Sequence, residues 1–194
     1  GCAGGIDGEI EFTYTPEAVP AGSKAFQLTL KGLKGGHSGM DINLGRGNAN
    51  KLFFRFLKAV SKELGLRLAS VSGGNMRNAI PREAFGIVTV PAANVDKFLA
   101  KVKEYEGIFK EPNLILTAEE SAMPQNVMPE KVQHNVINAI KACPNGAMRM
   151  IDSMPDTVET SNNLAIVRGG DGKVEVYMLM RSSVETAKTA LAQV

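Results

Sequence analysis

Hydrophobic and polar residues alternate along Glu9–Tyr14 (EIEFTY), placing Ile10, Phe12 and Tyr14 on one face, and again along Ala25–Leu30, where Phe26, Leu28 and Leu30 share a face. Both segments are expected to be strands. The period then changes: Leu52, Phe53, Phe56, Leu57, Val60 and Leu64 recur at steps of three and four. With Asn48 as N-cap and Gly65 as C-cap, this spacing predicts an amphipathic helix. Leu66–Ser72 and Ala84–Val90 read as strands; Val95, Phe98, Leu99, Val102 and Tyr105 mark a second helix capped by Asn94; Leu114–Thr117 is a short further strand. Over residues 25–117 the order is therefore strand, helix, strand, strand, helix, strand. That is the split order of a ferredoxin-like βαββαβ unit, an α+β fold with a mainly antiparallel sheet and helices on one face.

The second half extends this unit. After the Pro- and Met-rich stretch Met123–Pro129 comes a helix with Pro129 in its first turn, Val132, Val136, Ile137 and Ile140 facing inward, and His134 outward beside Gln133 and Asn135. Pro144-Asn145-Gly146 ends it, and Met148 and Met150 suggest a short strand. Leu164–Val167 and Val174–Met180 form a hairpin through Gly169-Gly170-Asp171-Gly172, with Val174, Val176, Met178 and Met180 on one face and Tyr177, Leu179 and Arg181 on the other. Ser182 and Glu185 have the spacing of a capping box opening a last helix. The sequence contains no internal repeat, so residues 1–194 are expected to form one unit.

Composition narrows the partners. The 22 basic and 20 acidic residues are interspersed and leave a net charge of +2, which excludes an electrostatic footprint for nucleic acid or an anionic membrane. No apolar run approaches the ~20 residues of a membrane span, and no basic segment leads into a hydrophobic one at the start. Cys2 and Cys143 are isolated, without a CxxC pair. A reducing, cytoplasmic location is expected.

The segment LKGLKGGHSGMD, Leu30–Asp41, concentrates the chemistry: a histidine between glycines, followed by an aspartate. A zinc centre needs about three ligands, usually with closely spaced pairs. His37 and His134 are far apart and belong to no HxH, HxD or HExxH pattern, while Glu119-Glu120 is expected to be an exposed helix start. No metal site is therefore expected within the chain. Ser38, adjacent to His37, cannot adopt the usual nucleophile–base geometry. The glycines match neither GxxxxGK[ST] nor GxGxxG.

LKGLKGGHSGMDINLGRGNANKLFFRFL resembles the lid and dimerisation domain of the aminoacyl-histidine dipeptidases, within the di-zinc aminoacylase and carboxypeptidase superfamily. SGGNMRNAIPREA, CPNGAMR, VETSNNLA and MLMRSS resemble further segments of that lid in the same order; VETSNNLA ends in Ala where Gly is expected. The resemblance implies a metallo-dipeptidase that hydrolyses Xaa-His dipeptides, whose catalytic domain and pair of zinc or similar divalent ions lie outside this segment. GCAGG resembles the stretch just after the last metal ligand preceding the lid, so the chain is expected to be an excised lid, inactive alone. The resemblance further implies a homodimer in which His37 crosses to the partner's active site and stabilises the transition state. Asp41 is placed to orient His37. Arg181 is implied to bind the dipeptide carboxylate and Asn78 to hydrogen-bond substrate near it. The alternative is a free-standing ferredoxin-like binding or oligomerisation module without catalysis. An RNA-binding module of this topology would carry a K/R-G-F/Y-G/A-F motif, which is absent.

Overall fold

The computed structural model describes residues 4–194; Cys2 and the start of GCAGG lie outside the described residues. Its elements are β1 (Gly4–Thr13), β2 (Ser23–Lys31), β3 (Gly36–His37), α1 (Ala49–Leu64), β4 (Arg67–Gly73), β5 (Ala79–Ile80), β6 (Ala84–Pro91), α2 (Val95–Ile108), β7 (Ile115–Glu120), α3 (Glu130–Ala142), β8 (Gly146–Ile151), β9 (Met154–Gly170), β10 (Lys173–Ser182) and α4 (Glu185–Ala192). The main sheet is open, with strand order β1-β10-β9-β4-β6-β2-β7 and β8 added to β9. Its pairings are antiparallel. Within it, β2-α1-β4-β6-α2-β7 has the ferredoxin-like order, the two helical crossovers each returning beside the antiparallel strand between them.

The alternation in β2 decides which face is covered. Phe26, Leu28 and Leu30 are buried, and Phe26 meets Phe98 of α2 at a centroid distance of 5.3 Å. Phe56 of α1 meets Phe98 at 6.3 Å and Tyr105 at 5.4 Å, so both helices pack on that face and on each other. Gly86 permits the close approach of α1 to β6, because a Cβ there would come within 2.8 Å of the Phe53 ring. The caps of α1 are as expected: the Asn48 side chain accepts from Lys51 N at 3.2 Å, and Gly65 is left-handed with φ 66°.

The helix α3 joins the same layer through polar groups. Gln133 is buried; its Nε2 donates to Leu66 O at 2.9 Å and its Oε1 accepts from Leu68 N at 2.7 Å. Lys51 Nζ donates to the carbonyls of Ile140, Lys141 and Cys143 at 3.0, 2.7 and 2.7 Å, closing the C-terminus of α3. The β9–β10 turn uses Asp171 (φ 51°) and Gly172 (φ 89°), both left-handed, as a tight two-residue hairpin requires.

Several elements differ from the sequence reading. The strand β7 runs to Glu120, with Glu119 and Glu120 opposite Gln27 and Phe26, so this pair ends an edge strand instead of starting a helix. Pro129 is the N-cap of α3 and Gln133 faces inward, not outward; His134 is exposed. Ser182 forms no capping box, since its hydroxyl is paired with Thr160 Oγ1 at 2.8 Å and accepts from Val184 N at 3.0 Å. Val184 is the N-cap of α4, and Glu185 pairs with Lys188 at 2.7 Å. Most of the 17-residue strand β9 precedes the expected Leu164 start. Among the described residues no helix is long and apolar enough to cross a membrane.

Candidate functional site

The glycines around His37 build a short hairpin-like unit. Gly35 (φ 65°) reverses the chain so that β3 pairs with β5, Gly36 opposite Ile80 and His37 opposite Ala79. Asp41 Oδ2 accepts from His37 N at 2.8 Å and faces Arg46 Nη1 at 3.4 Å, and the same Nη1 donates to Gly35 O at 2.6 Å. Asp41 therefore orients the His37 backbone, not its ring. The ring is held by two backbone amides, Gly39 N at 3.0 Å and Met40 N at 3.2 Å, both donating to Nδ1. An Nδ1 that accepts two N–H groups carries no proton, so the neutral ring bears its hydrogen on Nε2 and can donate from there.

Arg181 reaches the same place from the main sheet. It lies near the end of β10 opposite Ser161 and Gly5, on the Tyr177 and Leu179 side of the strand. A Cβ on Gly39 would lie 3.3 Å from His37 Nδ1 and 3.5 Å from Arg181 Nε, so only the missing side chain of Gly39 separates imidazole from guanidinium. Arg181 Nε is buried without a hydrogen-bond partner. Asn78 is exposed, and its carbonyl accepts from Ser38 N at 2.9 Å. The structure thus sets the His37 ring and Arg181 beside Gly39, with the Asn78 backbone hydrogen-bonded to Ser38 and the β5 strand packed on β9. This set combines a neutral donor, an amide and a planar cation, suited to a polarised carbonyl oxygen and a carboxylate.

One residue of this region lies within the VETSNNLA segment but has no role of its own in the sequence reading. Asn163 is 0% exposed in the middle of β9, and its Nδ2 donates to Arg77 O at 3.2 Å and Ala79 O at 2.8 Å. Nearby, the Arg77 guanidinium lies 5.1 Å from the centroid of the Tyr177 ring and pairs with Asp7 at 3.2 Å, tying the same loop to β10 and β1 at the surface. A cavity of about 750 Å³ borders the β3–β5 ladder. Gly36, Ile80, Arg82 and Phe85 line it, but His37, Asn78 and Arg181 do not, so the candidate chemistry lies outside this cavity. No group of three His, Cys, Asp or Glu among the described residues is placed to hold a metal ion.

Residues 28–115 match the family described as peptidase dimerisation domain. The chain is also 45% identical, over 97% of its length, to the cytosol non-specific dipeptidase of Escherichia coli (strain K12). The family match covers less than half of the chain, and what it shows is a likeness to a peptidase dimerisation domain over residues 28–115. A solved structure, aminoacylhistidine dipeptidase from Vibrio alginolyticus, superposes on this chain with a TM-score of 0.94 over 99% of the chain at 45% identity. The chain spans 40% of the first relative and 42% of the second, about two fifths of each. Both matches run nearly the whole length of this chain.

Proposed function

We propose that this chain is the lid of a metal-dependent dipeptidase that hydrolyses Xaa-His dipeptides as a homodimer in the cytoplasm, His37 serving the partner subunit's active site. The placing of His37 and Arg181 beside Gly39, with the Asn78 backbone tied to Ser38 and the imidazole hydrogen left on Nε2, supports the reading. The names of the relatives, a cytosol dipeptidase and an aminoacylhistidine dipeptidase, supply the substrate class and compartment.

When bound, the metal pair of such an enzyme would activate water and polarise the scissile carbonyl; no set of three His, Cys, Asp or Glu among the described residues fits that site, and on this reading its ligands lie in the catalytic domain. The chain's own residues bind and orient. Arg181 receives the dipeptide carboxylate through a planar pair of N–H donors. Asn78 hydrogen-bonds the substrate beside that carboxylate. His37 donates Nε2–H to the oxygen on which negative charge develops as the peptide carbonyl becomes tetrahedral.

Subunit mixing tests the assignment in trans. A His37→Ala subunit combined with a subunit disabled in its catalytic domain regains one complete site, because the intact catalytic domain then faces an intact lid. Restored activity near half that of the wild-type dimer is the expected result. An inactive mixed dimer, with assembly verified by sedimentation, would place His37 in its own subunit's site and refute the reading.

A further inference from the structure

We infer that Asn163 is a positioning residue for the substrate-binding corner: its buried amide fixes the backbone of Asn78 and thereby sets where the Asn78 side chain meets substrate. The inference rests on the proposed role of Asn78.

Three successive carbonyls of the Arg77–Ala79 segment are taken up by other parts of the fold. Asn163 Nδ2 accounts for Arg77 O at 3.2 Å and Ala79 O at 2.8 Å, and Ser38 N for Asn78 O at 2.9 Å. Because both neighbours of Nδ2 are carbonyls, the orientation of the amide is decided: only its NH₂ end has anything to give them. The loop's own backbone bonds are long, Ala79 N to Met76 O at 3.3 Å and Gly74 N to Glu83 O at 3.3 Å. The bond from Asn163 to Ala79 is thus the shortest tie on this segment from below, and Ser38 supplies the tie from the side of His37.

The position of Asn163 costs stability elsewhere. Its Oδ1 is buried without a partner, as is Ser38 Oγ, a cost that an apolar side chain at 163 would not itself carry, though it would leave Arg77 O and Ala79 O without their donor. Asn163 pairs with Leu179 across β9 and β10, on the strand face that also carries Arg181. One buried side chain therefore references the Asn78 loop to the strand that carries the guanidinium, and the Ser38 amide references it to the histidine loop.

The experiment uses the full-length enzyme and glycyl-histidine. Asn78→Ala is expected to raise KM about tenfold, the loss of one good hydrogen bond. Asn163→Ala should raise KM by a similar factor while kcat changes less, with the double variant no worse than the poorer single one. Asn163→Asp, nearly the same size but presenting carboxylate oxygens to the two carbonyls, should be worse than Asn163→Ala, which separates hydrogen bonding from packing. Should Asn163→Ala fail to fold, Asn163→Ser retains one donor and an intermediate KM is expected. The inference is overturned if Asn163→Ala or Asn163→Ser leaves KM at the wild-type value, or if the effects of Asn163→Ala and Asn78→Ala multiply. An unchanged KM in Asn78→Ala alone removes the role of Asn78 itself, and the inference with it.

Discussion

Replacing Asp41 by alanine separates the placing of His37 from its chemistry. The substitution deletes the 2.8 Å bond from His37 N to a carboxylate and the 3.4 Å pairing with Arg46. A hydrogen bond to a charged group contributes about 1.5–3 kcal/mol. The ion pair, with side-chain exposures of 29% and 19%, adds less than about 1 kcal/mol. The ordered loop therefore loses about 2–3 kcal/mol, a factor of roughly 30 to 150 in its population relative to displaced arrangements. If the loop is held by a margin of that size, kcat of the full-length enzyme falls about 10- to 100-fold. The ceiling is the loss in His37→Ala, on the order of 10²- to 10³-fold for a donor that meets the oxyanion mainly in the transition state. KM should change little, since Asn78 and Arg181 keep their own supports. Asp41→Asn retains a neutral acceptor for His37 N and should fall between wild type and alanine. Steady-state kinetics with a urea melt of each variant decides the matter. Wild-type kcat in Asp41→Ala, alongside a large loss in His37→Ala, would show that the ring is placed by its own two amide contacts and not through Asp41.

Arg181→Ala should raise KM at least tenfold and lower kcat as well if the clamp also positions the scissile bond, and Arg181→Lys should recover little because it lacks the planar fork; equal kinetics for Arg181→Lys and wild type would remove the carboxylate role. Gln133→Leu strands Leu66 O and Leu68 N in the α3–β4 contact and should cost about 2–4 kcal/mol in urea denaturation; a loss below about 0.5 kcal/mol would mean that the helix adjusts to satisfy them by other means. Burial pushes the Cys143 thiol above its ordinary value of 9.0, against the opposing Lys51 ammonium and a hydrogen bond from Asn162. The folded chain then holds that proton more tightly than the unfolded one, so the associated stability is complete below pH 9.0 and is lost as pH rises through the folded value. Alkylation at pH 8 should be slower than in urea, and Cys143→Ala should flatten the alkaline loss of stability; equal alkylation rates in native protein and urea would contradict the burial argument.

The ferredoxin-like core was legible because each of its elements has one apolar face and one polar face, and the period separates strand from helix. Leu28 and Leu30 at a spacing of two, and Phe53, Phe56, Leu57 and Val60 at three and four, point to the same buried layer. Reading failed where an element has another source of support. The edge strand β7 is paired on one side only, so its last two positions tolerate Glu119 and Glu120, and the acidic pair resembles a helix start. The Ser182 and Glu185 spacing is a local signal, but Thr160 on the neighbouring strand claims the hydroxyl first. Strand β9 hides its first ten residues because seven of them are polar, and a stretch so rich in polar residues looks like a loop until its strand partners are known.

That last case explains what could and could not be read of the site. The residue types His37, Asn78 and Arg181 stand in recognisable motifs, but their proximity depends on the backbone: Gly39 and Met40 amides on the imidazole, Ser38 N on Asn78 O, a strand register that sets Arg181 opposite Ser161. None of these contacts involves a choice of side chain at the atom that makes it, so residue pattern is silent on them. Asn163 is different. Thr160, Ser161, Asn162 and Asn163 are all buried and immediately precede the apolar run Leu164–Val167. Consecutive side chains on a strand point to opposite faces, so a buried polar run demands hydrogen-bond partners on both sides of the sheet at once. On one side Asn162 donates to Pro144 O and Thr160 meets Ser182; on the other Asn163 holds the Asn78 loop. A run of this kind in a strand that continues as core therefore marks a place where loops are fastened over both faces, and the face that carries Asn163 also bears Arg181, whose Nε is buried without a partner and free for the proposed carboxylate.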